Sequence, residues 1–348
     1  MIPREMAFHR ADTVAEAVGA WRAALKANGR PLYYSGGTEI ITLTRENKLD
    51  PTDLVDIKAI PETRVLAVVR GGEDDETDRA GAAPEQSPPD QLQLGAALSL
   101  NTLVDVDPFP LLAHCAAGVA DRTIRNSITL GGNICGMLPY REAVLPFLLL
   151  DGMVEIAGGD TGDKGDKTDK DADMRRVPLR ECFRKRLVLR EGELVVRFIL
   201  DATVLPALEG DAESRRKERP GKSTACGFGS RGGWYYQRRT VDSRIDYPIV
   251  TLAMVLLDGV VRVATTGTWG YPHRALQAEA VCSAEKGGDF QRLAECSREQ
   301  LLSLAAGMVD GENLPVKADF RAGREYRREL TVQALAEGLS VLAGGGDT

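Results

Sequence analysis

The sequence lacks a net positive charge, long apolar runs and an ordinary share of aromatic residues. Its 44 lysines and arginines are outnumbered by 51 aspartates and glutamates, and the net charge of −7 gives no basic field for nucleic acid or anionic lipid. Aromatic residues make up only 5%, and none interrupts the basic run at 215–219, so no base-stacking surface is indicated. The longest apolar runs, such as 143–150, are far shorter than the about 20 residues that span a bilayer. We expect neither a nucleic-acid nor a membrane partner.

Groups that would hold a metal or form a disulfide framework are missing too. No two cysteines form a CxxC pair or a ferredoxin spacing. The three histidines, His9, His114 and His273, lie too far apart for a zinc motif of the HExxH type. The start, MIPREMAFHR, has no apolar core of a secretory signal. These absences predict reduced thiols, no metal site in this chain and a cytoplasmic location. The cysteines are Cys115, Cys135, Cys182, Cys226, Cys282 and Cys296.

What is present is enough for a large folded core. The 348 residues are 43% hydrophobic, and at about 150 residues per domain the length suggests about two domains. Segments 70–91, 158–173 and 207–225 are polar and punctuated by Gly or Pro, which is typical of loop insertions. The Asp-rich stretch DTGDKGDKTDKD has no following Glu at calcium-loop spacing, which favours a solvated loop over a calcium site.

The remaining segments predict a mixture of helices and strands. Apolar spacing predicts a helix over 13–29, with Thr13 as N-cap and Gly29 as C-cap. A strand at PLYY and another at 53–57 complete a βαβ-type unit. Further strands are predicted at 65–69, 92–97, 153–158, 193–200 and over 250–270, the last with a hairpin turn at Asp258–Gly259. Further helices are predicted at 110–120, 142–150, 275–286, 289–306 and 322–343.

Two glycine loops suggest a ligand site. In YYSGGTEI, at 33–40, a strand runs into a Gly-Gly pair flanked by the hydroxyls of Ser35 and Thr38, an arrangement that suits a phosphate. RNSITLGGNICG, at 125–136, has a second Gly-Gly pair beside Thr129 and Asn133. Two such loops can hold one diphosphate from both sides. Either loop alone is more often only a tight turn.

A third glycine cluster satisfies a motif but lacks its context. GFGSRG at 227–232 matches GxGxxG, yet WYYQRR follows it where a dinucleotide-binding fold needs the start of a helix. We assign this cluster to a linker or to the start of the next domain.

In this order and at this separation, the two glycine loops resemble those of the FAD-binding, medium subunit of molybdenum hydroxylases, of the xanthine dehydrogenase and carbon monoxide dehydrogenase type. SGGTEI is similar to that family's AGGxSL loop, and VADRTIRNSITLGGNI to its IxDxQVRNxGTIGGNL segment. Collinear similarity continues through LVDIKAIPE, LQLGAALSLNTL, LREGELVVRFIL, YYQRRTVDSRIDYPIVTLAMVLLDG and DFRAGREYRRELTVQAL. The resemblance covers nearly all of the chain outside the three polar segments.

The resemblance implies an α+β fold. Two FAD-binding subdomains of the vanillyl-alcohol oxidase (PCMH-like) type, at 1–60 and 61–178, precede a C-terminal flavoprotein domain of antiparallel sheet and helices at 179–345. FAD would bind non-covalently between the subdomains, and oriented amides can hold a diphosphate without a lysine. The implied contacts are Ser35, Gly36, Gly37, Thr38, Glu39 and Ile40 of the first loop, Thr129, Leu130, Gly131, Gly132 and Asn133 of the second, and Val119 upstream of it.

Two positions depart from the family pattern. Glu142 stands where the family has an Asp that binds the adenosine ribose, and its longer carboxylate can accept from the same hydroxyl. Arg238 stands where xanthine dehydrogenases carry a Lys near the flavin, and a cation there stabilises the anionic reduced ring.

The implied function is electron transfer within a larger enzyme. A molybdopterin-binding large subunit and a [2Fe-2S] small subunit would be the partners, and FAD here would pass electrons to NAD or another acceptor. The cysteine spacing agrees with clusters carried elsewhere. One alternative is a stand-alone FAD-dependent oxidoreductase of the same fold, although no general base or covalent flavin link is evident. The other is a binding scaffold that has lost FAD, against which both intact glycine loops argue.

Overall fold

The structure of the chain is a computed structural model. The structure describes residues 5–71, 89–158, 173–208, 224–229, 232–242, 246–284 and 290–344. Most of the three predicted loop insertions, 70–91, 158–173 and 207–225, lies outside these residues. The chain forms two compact units: the first contains 1–100, 123–136 and 151–202, and the second contains 101–122, 137–150 and 203–348. The division at residues 60 and 178 stays a prediction.

The described strands and helices have the following bounds. The strands are β1 Ala7–Arg10, β2 Pro31–Tyr34, β3 Asp53–Asp56, β4 Leu66–Val69, β5 Gln91–Gly95, β6 Met153–Ala157, β7 Met174–Pro178, β8 Leu194–Asp201, β9 Thr224–Gly229, β10 Gly232–Thr240, β11 Pro248–Leu257, β12 Val260–Thr266 and β13 His273–Arg274. The helices are α1 Val14–Lys26, α2 Thr38–Arg45, α3 Leu100–Val106, α4 Pro110–Gly118, α5 Arg122–Arg125, α6 Leu130–Cys135, α7 Leu145–Leu149, α8 Leu179–Cys182, α9 Leu205–Leu208, α10 Leu276–Ala284, α11 Arg298–Gly311 and α12 Arg324–Gly344.

The first unit begins with a three-stranded parallel sheet in the order β1-β3-β2. This confirms the predicted βαβ-type unit and adds β1. Thr13 caps α1, its side chain accepting from the Glu16 backbone N–H at 3.1 Å. The predicted cap at Gly29 is wrong, because α1 ends three residues earlier, at Lys26. Asn28 then takes the left-handed conformation (φ 59°), which an Asn side chain tolerates well.

A second sheet completes the first unit. Its five strands pair antiparallel in the order β4-β5-β8-β6-β7, four of them as predicted and β7 in addition. One face carries apolar side chains such as Val154 and Phe198, which are fully buried. The other carries the buried Glu155 carboxylate, which accepts from Arg176 at 2.8 Å and also from Arg197. Alternation of apolar and polar side chains therefore specifies the register of these strands.

The second unit is built on a five-stranded antiparallel sheet in the order β13-β12-β11-β10-β9. Its predicted hairpin is confirmed: Asp258 (φ 50°) and Gly259 (φ 79°) both take positive φ between β11 and β12, as a tight primed turn requires. The residues at 227–229 and 232 belong to β9 and β10, which pair with each other, so the linker assignment is wrong. A sheet cannot be told from a linker there because glycines interrupt the alternating pattern.

Helices α10, α11 and α12 pack on this sheet to form a large apolar core. The predicted helix over 289–306 is divided: a 3₁₀ turn at Phe290–Glu295 precedes α11, which Ser297 and Gln300 begin with a reciprocal capping box. In the described part of the chain no helix is long and apolar enough to cross a membrane. None of the six cysteines, all of which lie in described parts of the chain, forms a disulfide.

A carboxylate near α12 gathers several donors of the second unit. Asp319 accepts from Lys317 Nζ at 2.9 Å, from the Tyr140 hydroxyl at 2.8 Å and from Arg327 Nη2 at 2.8 Å. Burial alone would raise the pKa of Asp319, but these hydrogen bonds outweigh it and hold that pKa far below its usual range. The loop before α12 is therefore fixed by an ionised, fully bonded carboxylate.

Candidate functional site

The first glycine loop joins β2 to α2. Strand β2 ends at Tyr34, and α2 begins after Gly37, whose left-handed conformation (φ 71°) makes the sharp turn. A Cβ at Gly37 would lie 2.3 Å from a carbon of the Tyr34 ring, so the ring occupies the space a side chain would need. The N–H groups of Gly36, Gly37 and Thr38 have no acceptor among the described residues. The loop therefore presents successive unused donors, as an anion site requires.

The second glycine loop is fixed by hydrogen bonds of its own. The Leu130 N–H donates to the Leu98 carbonyl and the Gly131 N–H to the Ala96 carbonyl, each at 2.8 Å, and both carbonyls lie in the turn after β5. Thr129 caps α6, and its Oγ1 accepts from Gly132 at 3.2 Å. These amides donate within the protein, so they are less available to a diphosphate than those of the first loop. The contacts of both loops with the cofactor stay predictions.

The two loops lie directly against each other within the first unit. A Cβ at Gly36 would lie 1.7 Å from the Ser127 carbonyl oxygen and 3.4 Å from Thr129 N. A Cβ at Gly136 would lie 3.0 Å from Glu39 Oε2. Only glycine permits the approach at Gly36, because the obstructing atoms are backbone. Sequence segments about ninety residues apart thus form one surface.

Each loop also holds a polar side-chain atom that is buried without a partner. Ser35 Oγ and Asn133 Oδ1 are shielded from solvent, and neither has a hydrogen-bond partner among the described residues. Such atoms are costly to leave unpaired and point to a ligand that completes them. A hydroxyl that can donate, an amide oxygen that can accept and a row of open N–H groups match the phosphates and ribose hydroxyls of FAD. The residues present fit that cofactor.

One charged residue at this site, Lys58, was not predicted from the sequence. Lys58 Nζ donates to the Ser35 carbonyl oxygen at 3.3 Å and lies 4.6 Å from the centre of the Tyr34 ring. Strands β2 and β3 are parallel, with Tyr34 opposite Asp56, so residues that follow either strand meet at one edge of the sheet. That edge rule, applied to LVDIK, is the signal that would have found Lys58.

Three predicted site residues lie together in the second unit. Arg238 Nε donates to Glu142 Oε1 at 3.4 Å, and its Nη2 donates to the Asp246 carbonyl oxygen at 2.5 Å. A Cβ at Gly118, the last residue of α4, would lie 3.2 Å from Arg238 Cδ, and Val119 follows as the helix cap. The segments that carry these three residues therefore lie close together.

The pair of Glu142 and Arg238 is almost fully buried. Their side chains are 2% and 5% exposed. Burial raises the pKa of Glu142, and the attraction of Arg238 opposes that rise only in part. Burial, with the nearby Glu142 charge, also raises the pKa of the Cys115 thiol. Glu142 was expected at the ribose and Arg238 at the flavin, and the structure brings the two side chains into direct contact with each other. The two contacts stay predictions.

The sequence of the chain matches known proteins over part of its length. Residues 4–201, more than half of the chain, match the family model described as the FAD binding domain in molybdopterin dehydrogenase. A xanthine dehydrogenase FAD-binding subunit of Escherichia coli O157:H7 is 26% identical over 153 residues, and XdhB of E. coli strain K12 is 27% identical over 154. Each match covers 43% of this chain and 45% of the relative. The chain thus aligns with less than half the length of these curated relatives.

Comparison of structures extends over the whole chain. Quinoline 2-oxidoreductase from Pseudomonas putida 86 superposes with a TM-score of 0.70 at 18% identity, covering 100% of both chains. Carbon monoxide dehydrogenase from Hydrogenophaga pseudoflava superposes with a TM-score of 0.69 at 20% identity, covering 99% of both. At this identity the likeness shows the fold alone, and it confirms the predicted α+β architecture.

Proposed function

Because the chain belongs to the family of FAD-binding domains of molybdopterin dehydrogenases, we propose that it is the FAD-carrying electron-transfer subunit of a multi-subunit molybdenum hydroxylase. FAD is the cofactor of this family. The observation that carries the proposal is the paired glycine loops: open N–H groups and the unpaired Ser35 Oγ on one loop lie against the unpaired Asn133 Oδ1 of the other.

In this proposal the first loop holds the FAD diphosphate. The N–H groups of Gly36, Gly37 and Thr38 donate to phosphate oxygens, and Glu39 and Ile40 begin α2 beside them. The second loop, Thr129–Asn133, packs along the cofactor through its glycines and offers Asn133 Oδ1 as an acceptor. When bound, FAD supplies a ring that accepts and releases electrons.

Val119, Glu142 and Arg238 are proposed as a second contact region for the cofactor. Arg238 would favour the reduced, anionic flavin, and Glu142 would hold the Arg238 guanidinium in place at 3.4 Å. Because Glu142 already balances much of the Arg238 charge, this region would suit the flavin ring better than a fully charged phosphate.

The wider assembly follows from the same proposal. A molybdopterin-binding large subunit and a [2Fe-2S] small subunit are the proposed partners, and NAD or another acceptor takes the electrons. The names of the curated relatives favour a xanthine dehydrogenase-like complex. We place the iron-sulfur clusters on the small subunit, because the cysteines of this chain lack ferredoxin spacing. Reduced thiols would fit the proposed cytoplasmic location.

Purification of the full chain tests the proposal in two steps. The isolated protein should bind one equivalent of FAD, seen as bound flavin absorbance; a folded protein that takes up no FAD would overturn the proposal. Affinity purification from native cells should then recover molybdenum- and iron-containing subunits with it. Turnover of a small substrate by the isolated chain, without those subunits, would instead support a stand-alone oxidoreductase.

A further inference from the structure

The Lys58 side chain is held beside the first glycine loop by hydrogen bonds. Lys58 comes two residues after β3, where Asp56 Oδ1 accepts from the Lys58 backbone N–H at 3.0 Å and from its Nζ at 2.7 Å. The Asp56 side chain is only 14% exposed, so its ion pair with Lys58 is partly shielded from water. A lysine with its backbone N–H and its ammonium group both hydrogen-bonded has fewer side-chain rotamers available than an exposed lysine usually has.

The ammonium group ends on one peptide of the loop. Lys58 Nζ donates to the Ser35 carbonyl oxygen at 3.3 Å, and the Tyr34 ring lies 4.6 Å away on one side. The Ser35 carbonyl and the Gly36 N–H belong to the same planar trans peptide, in which C=O and N–H point in opposite directions. A cation that fixes the carbonyl therefore also fixes the direction of the Gly36 N–H.

The Gly36 N–H is one of the donors that the described residues leave open. We propose that Lys58 is an FAD-positioning residue, which orients the Ser35–Gly36 peptide so that its N–H faces the diphosphate. This assignment rests on the proposed function. Lys58 acts through the peptide and lies on its carbonyl side, away from the bound phosphate. A charge-assisted hydrogen bond adds a further restraint on the direction of this peptide.

The assignment predicts an effect confined to ligands that carry the diphosphate. Lys58→Met should raise the dissociation constant of FAD about tenfold. It should raise that of ADP, measured in competition with FAD, by a similar factor. Adenosine, which has no phosphate, should compete equally well against both proteins. Lys58→Arg, which can still donate to the Ser35 carbonyl, should recover most of the affinity for FAD and ADP.

Lys48→Met is the matched control. Lys48 follows α2 at its other end, pairs with Glu46 at 2.8 Å and is 67% exposed. Its loss should leave the dissociation constants of FAD, ADP and adenosine unchanged. Thermal unfolding without ligand should be nearly the same for wild type, both Lys58 variants and the control.

The titrations separate failure of this assignment from failure of the proposed function. A wild-type chain that binds no FAD overturns both. FAD binding by the wild type with an unchanged dissociation constant in Lys58→Met overturns the assignment alone. Equal weakening of ADP binding and adenosine binding also overturns the assignment, because it would show that Lys58 stabilises the fold in general. A steeper fall of affinity with salt in the wild type than in Lys58→Met indicates a direct ion contact and overturns the positioning role.

Discussion

At the glycine loops of the first unit, Ser35 Oγ and Asn133 Oδ1 are buried with no partner among the described residues. In the second unit, the side chains of Glu142 and Arg238 are almost fully buried but bond each other. Polar atoms are buried in both places, but only those of the Glu142–Arg238 pair bond each other. Unpaired buried atoms lower the stability of the chain unless a ligand binds, whereas a paired carboxylate and guanidinium need no ligand. The first place therefore needs a ligand to complete its hydrogen bonds, whereas the second is complete before any ligand binds.

The largest expected effect comes from a side chain forced between the loops. Gly36→Ala would place a methyl group 1.7 Å from the Ser127 carbonyl oxygen, and backbone on both sides prevents relaxation. We expect FAD affinity to fall by about 100-fold or more and the free energy of unfolding to fall by about 3 kcal/mol. Flavin fluorescence titration and urea unfolding measure the two losses.

Gly19→Ala is the control for this change. Gly19 lies inside α1 with nothing within 4 Å of the added Cβ, so stability should rise by about 0.5–1 kcal/mol while FAD binding stays the same. Wild-type FAD affinity in Gly36→Ala would show that the contact between the loops does not shape the cofactor site.

Breaking the buried pair tests the second unit. Arg238→Met leaves the Glu142 carboxylate without its counter-charge, and we expect a loss of about 3–5 kcal/mol in urea unfolding. The double variant Glu142→Leu/Arg238→Met should recover most of it, because no uncompensated charge remains. The opposite pattern, a stable fold with FAD affinity lost, would show that the pair serves the cofactor and adds little to the stability of the chain.

A pH series extends the test to a carboxylate that is fully bonded. Because the pKa of Asp319 is lower in the fold than in the unfolded chain, its carboxylate stabilises the fold above pH about 4, and that contribution is lost as the pH falls further. Asp319→Asn should cost about 2 kcal/mol at pH 7 and much less near pH 2, without changing FAD affinity. A cost independent of pH would indicate lost packing instead.

The smallest effect is expected at an unpaired hydroxyl. Ser35→Ala should weaken FAD binding by about 1 kcal/mol yet leave the ligand-free chain as stable or slightly more stable. Thr44→Val is matched to it, because Thr44 Oγ1 is also buried without a partner but lies in the last turn of α2. This control should keep wild-type FAD affinity. Equal weakening in both variants would contradict a ligand role for Ser35.

The sequence predicted most of the fold and part of the site, and the division has physical reasons. Collinear motifs predicted the α+β architecture, and local chemistry predicted the cap at Thr13 and the turn at Asp258. Contacts such as Arg238 with Glu142 depend on how distant segments pack, which periodicity does not contain. Lys58 was missed because a glycine motif describes one loop, whereas this cation enters from the end of a neighbouring strand.

The path of the chain between the two units has a consequence for biosynthesis. The chain passes from one unit to the other five times, after Leu100, Arg122, Gly136, Leu150 and Ala202. The family match at 4–201 therefore includes segments 101–122 and 137–150, which belong to the second unit. A nascent chain halted at residue 201 would expose α4 and α7 without the strands that cover them. The second glycine loop lies between those two helices in sequence, so we expect a competent FAD site to form only after the ribosome has released the C-terminal sheet and α12.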